Sequence, residues 1–166
     1  MNTIIILDFG SQYIQLIARR VREQDIYCEI LPWDTPEEDI LARDPKGLIL
    51  SGGPDAVYQP GAPQVPPYVF KIDIPVLGIC YGVQAMAPTL GGKVGLGPER
   101  EYGYAKVEVF KENPLMPQGT HLVWMSHQDH VETVPEGFYN FARSKGATIG
   151  AIANSQRKLY GVQFHP

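Results

Sequence analysis

Hydrophobic and polar positions alternate along this chain in two regimes. In the first half, short apolar runs are interleaved with amphipathic stretches. Residues 3–7 form a β-branched run closed by Asp8-Phe9-Gly10-Ser11 and predict a buried strand. Residues 13–24 predict a helix, because Ile14, Ile17 and Val21 share one face. Residues 26–31, 48–50 and 76–79 predict three further strands, the last following the turn residue Pro75. Thr35-Pro36-Glu37-Glu38 predicts a helix start, with Thr35 as N-cap, Pro36 in the first turn and a glutamate at the capping-box position. Residues 82–90 predict a helix with Val83, Met86, Ala87 and Leu90 on one face, ended by Gly91-Gly92. Pro88 should kink or shorten it, since proline lacks a donor and crowds the preceding turn. This order predicts an α/β fold: an open, mostly parallel sheet with helices on both faces. In the second half, residues 105–110, 122–125, 149–153 and 159–164 read as strands joined by turns, with a hairpin tip at 154–157. That predicts an antiparallel C-terminal portion. No repeat, low-complexity tract or interdomain linker interrupts the chain, so residues 1–166 read as one domain.

Composition narrows the function classes. Hydrophobic residues make up 44% of the sequence, enough for one sizeable core and too many for disorder. The net charge of −4, with no stripe of Lys or Arg, argues against a nucleic-acid groove. The first apolar run stops at Asp8, too short for a signal peptide or a membrane span. Cys28 and Cys80 fit no metal-ligand spacing, which predicts a cytoplasmic protein with reduced thiols and no metal site.

The sharpest chemical pattern is Gly78-Ile79-Cys80-Tyr81-Gly82, a G-x-C-x-G between a predicted strand and a predicted helix. It matches a nucleophile elbow with Cys in place of Ser. So tight a turn holds the nucleophile in a strained conformation, and side chains two positions to either side would collide with neighbouring backbone. The helix N-terminus beneath the thiol should favour the thiolate. The alternative, a buried Cys flanked by turn glycines, does not account for the strand–turn–helix setting. Cys28, mid-strand and without a turn, reads as an inert thiol. A base must come from elsewhere among His121, His127, His130 and His165. His165 directly follows a predicted strand, so it sits at a strand end, as Cys80 does; a surface His at a chain end is the reading that spacing leaves open. His127 lies in a polar stretch, residues 126–130, read as a loop. There it either holds a turn or joins His130 and Asp129 in a metal site, and one short cluster is weak support for the second. Gly52-Gly53-Pro54 follows the strand ending at Leu50, where backbone N–H groups could meet a developing oxyanion. No Gly-Lys-Ser/Thr follows a strand, so a phosphate loop is not expected.

Taken together, residues 51–54 (SGGP), 78–84 (GICYGVQ) and 161–166 (GVQFHP) resemble the class I glutamine amidotransferases. Residues 7–13 (LDFGSQY), 19–23 (RRVRE), 100–105 (REYGYA) and 123–127 (VWMSH) resemble, within that family, the amidotransferase domains of the GMP synthases. The resemblance runs from the first strand to the last residue. It implies that Cys80 attacks the side-chain amide of glutamine and that His165 is the general base and then the acid. It implies an oxyanion against the N–H groups of Gly53 and Tyr81, and substrate contacts from Gly52, Gln84, Ser126, His127, Gln128 and Asp129. The ammonia would pass to a synthetase domain that needs ATP and Mg; this chain has no such domain and no cofactor of its own is expected. The expected partners are glutamine and that synthetase domain, with no nucleic acid and no membrane. The family pattern places a glutamate after His-Pro, where this sequence stops, so a truncated domain with impaired activity is expected. Gln128 stands where the family commonly has Gly, and Val83 and Pro88 are unusual in the nucleophile helix. The competing readings are the glutaminase part of another biosynthetic enzyme such as anthranilate synthase, a weakly active partner-binding module, and a hydrolase of some other amide.

Overall fold

Side-chain alternation along β1 (Thr3–Asp8) sends its apolar residues to two faces, which decides how the sheet is covered. Ile5 and Leu7 pack with Met86 and Ile152 on one side, while Ile6 packs with Ile14, Ala18 and Cys28 on the other. The computed structural model describes residues 2–53 and 56–165; Pro54 and Pro166 of the motifs above lie outside them. In chain order the elements are α1 (Ile14–Arg22), β2 (Tyr27–Pro32), α2 (Glu37–Leu41), β3 (Gly47–Leu50), β4 (Val76–Ile79) and α3 (Tyr81–Thr89), then β5 (Lys93–Val109), β6 (Gly119–Thr133), β7 (Tyr139–Arg143), β8 (Ala151–Asn154) and β9 (Leu159–Val162). They form one nine-stranded sheet in the order β2-β1-β3-β4-β9-β8-β7-β5-β6. β2, β1, β3, β4 and β9 run parallel, and the rest pair antiparallel. The expected sheet is present: α1 covers one face, and α2 (through Ile40) and α3 cover the other.

Several local expectations need correction. Thr35 does not cap α2. Pro36 occupies the N-cap without a side-chain bond, and the Thr35 hydroxyl donates instead to the Pro32 carbonyl at 2.6 Å, closing the turn before the helix. The expected strands at 105–110 and 122–125 are the turn-proximal part of a much longer hairpin, and β7 was not anticipated. Residues 126–130 are strand rather than loop: they belong to β6, with His127 opposite Glu101 and Asp129 opposite Leu96. Their polar composition reflects a strand end that faces a cavity, not a turn. Pro88 is the penultimate residue of α3, and Leu90 caps the helix, so it marks the end of the element. The hairpin tip between β8 and β9 forms as expected, closed by the Arg157 N–H on Asn154 Oδ1.

The topology gathers three motifs. β3, β4 and β9 are adjacent parallel strands. Gly52-Gly53, Cys80 and His165 therefore emerge side by side at their carboxyl ends, the edge where open α/β sheets bind ligands.

Candidate active site

Cys80 joins β4 directly to α3 with φ 55° and ψ −109°, a region that side chains rarely occupy. The flanking glycines make this possible. A Cβ on Gly82 would lie 2.3 Å from the Leu50 carbonyl oxygen, and one on Gly78 would lie 2.8 Å from the Val83 nitrogen. Backbone atoms cannot yield to such contacts, so the elbow needs both. On β3's side, the buried Ser51 hydroxyl accepts from the Phe9 N–H and donates to the Gly52 carbonyl, both at 2.9 Å. That pair ties the Gly52-Gly53 segment to the end of β1.

Gly52 lies between the Cys80 and His165 side chains. A Cβ on Gly52 would sit 3.7 Å from Cys80 Cβ and 3.7 Å from His165 Cε1, so the missing side chain leaves open the space between these two residues, which line one cavity. His165 is held through its backbone, which exchanges hydrogen bonds with Trp124 of β6 at 2.8 and 3.1 Å. Its ring meets Tyr13 edge-on with centroids 5.0 Å apart. Burial lowers the His165 pKa, which keeps the ring neutral and able to accept a proton near pH 7.

The thiol corrects one expectation. Burial pushes the Cys80 pKa up to about 11, and the opposing N–H groups of Tyr81 and Gln163 do not offset it. Desolvation outweighs the helix N-terminus, so the resting group is a thiol whose hydrogen points at the Ser126 carbonyl, 3.6 Å away. A proton acceptor is therefore needed before this sulfur can attack. Cys28, by contrast, is an inert core thiol packed under α1, with its sulfur 3.5 Å from the Ala18 carbonyl.

Two cavities meet at Cys80. One, of about 290 Å³, is lined by Gly53, Cys80, Tyr81 and Gln84 on one side and by Ser126, His127, Gln128 and Asp129 on the other. The second, of about 300 Å³, carries Gly52 and His165 and shares Gly53, Cys80 and Ser126 with the first. Every site residue picked out in the sequence thus lines one or both. Within the first cavity, Arg100 Nε donates to Gln128 Oε1 at 2.9 Å, and the Tyr58 hydroxyl donates to Asp129 Oδ1 at 3.0 Å. His127 is buried, with Nε2 2.9 Å from Glu101 Oε1 and Nδ1 3.0 Å from the Asp129 carbonyl. These two contacts fix the ring between β5 and the end of β6. Ser51, Glu101 and Gln163 fall within the sequence motifs above but were given no role of their own there, and Tyr58 falls outside them; each acts through a partner between 42 and 83 residues away, or 26 for Glu101. A larger groove of about 710 Å³ between α1 and β6 reaches His165 but not Cys80, and its Leu16, Ile17, Leu122 and Trp124 offer a carboxamide no partner. Among the described residues no group of His, Cys, Asp and Glu could hold a metal ion, and no helix is long and apolar enough to cross a membrane.

Known proteins share this sequence pattern and this fold. The glutamine amidotransferase class-I family profile matches residues 5–166. The GMP synthase [glutamine-hydrolyzing] of Idiomarina loihiensis is 51% identical over 175 residues, covering 99% of this chain and 33% of that protein. The protein of the same name from Thermosipho melanesiensis is 52% identical over 169 residues, covering 100% and 33%. The chain thus spans about a third of the length of these curated relatives. Among solved structures, a putative GMP synthase subunit from Thermoplasma acidophilum superposes with a TM-score of 0.88 at 29% identity, covering 100% of this chain and 84% of that one. A glutamine amidotransferase from Thermotoga maritima, at 22% identity and a TM-score of 0.75 over 99% of this chain and 75% of that one, shares the fold. With an elbow cysteine, a histidine lining the same cavity and a match over nearly its whole length, the chain belongs to the class I glutamine amidotransferase family.

Proposed function

We propose that this chain hydrolyses glutamine to glutamate and ammonia, and that the ammonia feeds the conversion of XMP to GMP by a separate synthetase domain. The observation that carries the reading is Cys80, strained at φ 55° at the strand–helix junction and sharing one cavity with His165 on the two sides of Gly52. In this mechanism His165 takes the thiol proton as the sulfur attacks the carboxamide carbon of glutamine. The oxygen of the tetrahedral intermediate lies against the Gly53 and Tyr81 N–H groups. His165 then protonates the departing ammonia, leaving a thioester on Cys80, and water activated by the same ring releases glutamate. Gln84 and residues 126–129 hold the substrate.

Identity of 51–52% to proteins named GMP synthase favours this destination for the ammonia over anthranilate synthesis. ATP and Mg belong to the synthetase reaction, and this unit needs no cofactor, nucleic acid or membrane. Two unpaired thiols accord with work in the cytoplasm. The test is glutamine-dependent ammonia release, measured with and without an added synthetase domain. Release that disappears in Cys80→Ala supports the reading; release unchanged in that variant sinks it.

A further inference from the structure

A buried chain of side-chain amides ends on the nucleophile, and its polarity can be read without seeing a hydrogen. The Asp129 carbonyl can only accept, so the Gln84 atom 2.9 Å from it is the amide nitrogen Nε2. That same nitrogen lies 3.1 Å from the Gln163 carboxamide, so the Gln163 atom facing it is the oxygen Oε1. The remaining end of Gln163 must then be its NH₂ group, and it lies 3.6 Å from Cys80 Sγ. Gln84 and Gln163 are 4% and 1% exposed, so water cannot scramble this order.

We propose that Gln163 is a hydrogen-bond donor to the Cys80 sulfur that stabilises its thiolate, and that Gln84 is the positioning residue that fixes which end of Gln163 meets the sulfur. An amide N–H favours S⁻ over S–H, because the charged acceptor makes the stronger bond. The low polarity around these residues enlarges that difference. The arrangement also links the substrate cavity to the nucleophile. Asp129, on the cavity wall, anchors Gln84; Gln84 orients Gln163; Gln163 holds the sulfur. The inference deepens the role given to Cys80 above and rests on it for its catalytic meaning.

The test reads the thiol directly. Iodoacetamide alkylation of Cys80 forms an S–C bond as iodide leaves and the thiol proton passes to solvent, so its rate follows the thiolate fraction. The rate is followed against pH by peptide mass, with Cys28 as the unreactive control. In Gln163→Met the profile should move to higher pH by about one to two units, a roughly ten- to hundredfold slower reaction at a fixed pH below both midpoints. Gln163→Glu keeps the acceptor for Gln84 but removes the N–H, and should shift in the same direction. In the unsubstituted chain, the side-chain carboxamide carbon and nitrogen signals of Gln163, which do not depend on slow proton exchange, should move as Cys80 ionises, a readout that needs no variant to fold. Profiles matching the unsubstituted chain in folded variants, or amide signals that ignore the Cys80 titration, would overturn the proposal. Protection of Cys80 by glutamine is scored separately: its absence would count against glutamine hydrolysis and leave the Gln163 result readable.

Discussion

Helix α3 carries Cys80 at its start, β9 leads into His165, and the two elements press together at Val83 and Gly161. A Cβ on Gly161 would lie 2.2 Å from Val83 Cγ2, 2.9 Å from Val83 Cβ and 3.3 Å from Met86 Sδ, against about 3.4 Å for ordinary contact. Its φ is outside the left-handed region, so Gly161→Ala acts by steric clash alone. Val83 is β-branched and helical, so rotating χ1 is a poor escape. The helix must instead move by roughly an ångström, and such overpacking costs about 3 kcal/mol, lowering Tm by about 6–12 °C for a chain of this size. Val83→Ala removes two buried methyl groups and costs about 2 kcal/mol. If the substitutions were independent, the pair would cost about 5 kcal/mol. The methyl of Ala at 161 should instead occupy part of the space that the Val83 methyls vacate; its 2.9 Å approach to the Cβ that alanine keeps at 83 still asks for a small shift, so the pair should cost about 3 kcal/mol, a coupling of about 2 kcal/mol. Urea unfolding of the four proteins measures this, with equal m values as the condition for comparison. Glutaminase activity should fall in Gly161→Ala, as α3 moves the sulfur away from His165, and should recover in the double variant. Additive costs, within about 0.5 kcal/mol, would refute the account of how helix and strand set the distance between nucleophile and base.

Gly52→Ala should separate folding from catalysis: its methyl meets only ordinary contacts, 3.4 Å from Ser11 Oγ and 3.7 Å from Cys80 and His165. Thermal stability should hold within about 1 kcal/mol while glutamine hydrolysis falls by tenfold or more, because the methyl fills the gap that the proton crosses. The raised Cys80 pKa predicts an alkaline loss of stability. Below pH 9 the thiol is neutral in both states; as pH rises from 9.0 to about 11, only the unfolded chain ionises. The loss amounts to about 2–3 kcal/mol, and it should be missing from Cys80→Ala when the two urea midpoints are compared across that range. Glu101→Ala should cost about 3–5 kcal/mol in the same assay, since it strips the buried His127 ring of its carboxylate and leaves the Ser144 hydroxyl, 2.7 Å from Glu101 Oε1, without that acceptor.

What the sequence reveals about this protein follows the range of the forces involved. The elbow is local: Gly78, Cys80 and Gly82 are needed by contacts within one turn and one neighbouring strand, so five consecutive residues carry the signal. The parallel half is legible for the same reason, because each strand there is a short apolar run with its own closing turn. The long β5–β6 hairpin is not. Its outer face exposes Tyr102, Tyr104 and Leu122 and its far end is polar, so period-2 alternation fades where the strand leaves the core and borders the cavity. Residues 126–130 look like a loop for that reason, although Ser126, His127, Asp129 and His130 all pair with β5, on either side of a break in register at Gln128. The Cys80 thiol shows the same divide. A helix N-terminus can be read from sequence and argues for a thiolate, but the burial that overrides it comes from strands β6 and β9, distant along the chain. The hydrogen-bonded path from Glu101 through His127, Asp129, Gln84 and Gln163 to the sulfur is likewise assembled by the sheet order alone. None of its links joins residues that a short motif would place together, except the two-residue step from His127 to Asp129. The nucleophile is thus written locally, while the groups that govern its proton are written in the topology, which is why substitutions at Gln163 and Gly161 should report on this site more sharply than their distance from Cys80 in sequence suggests.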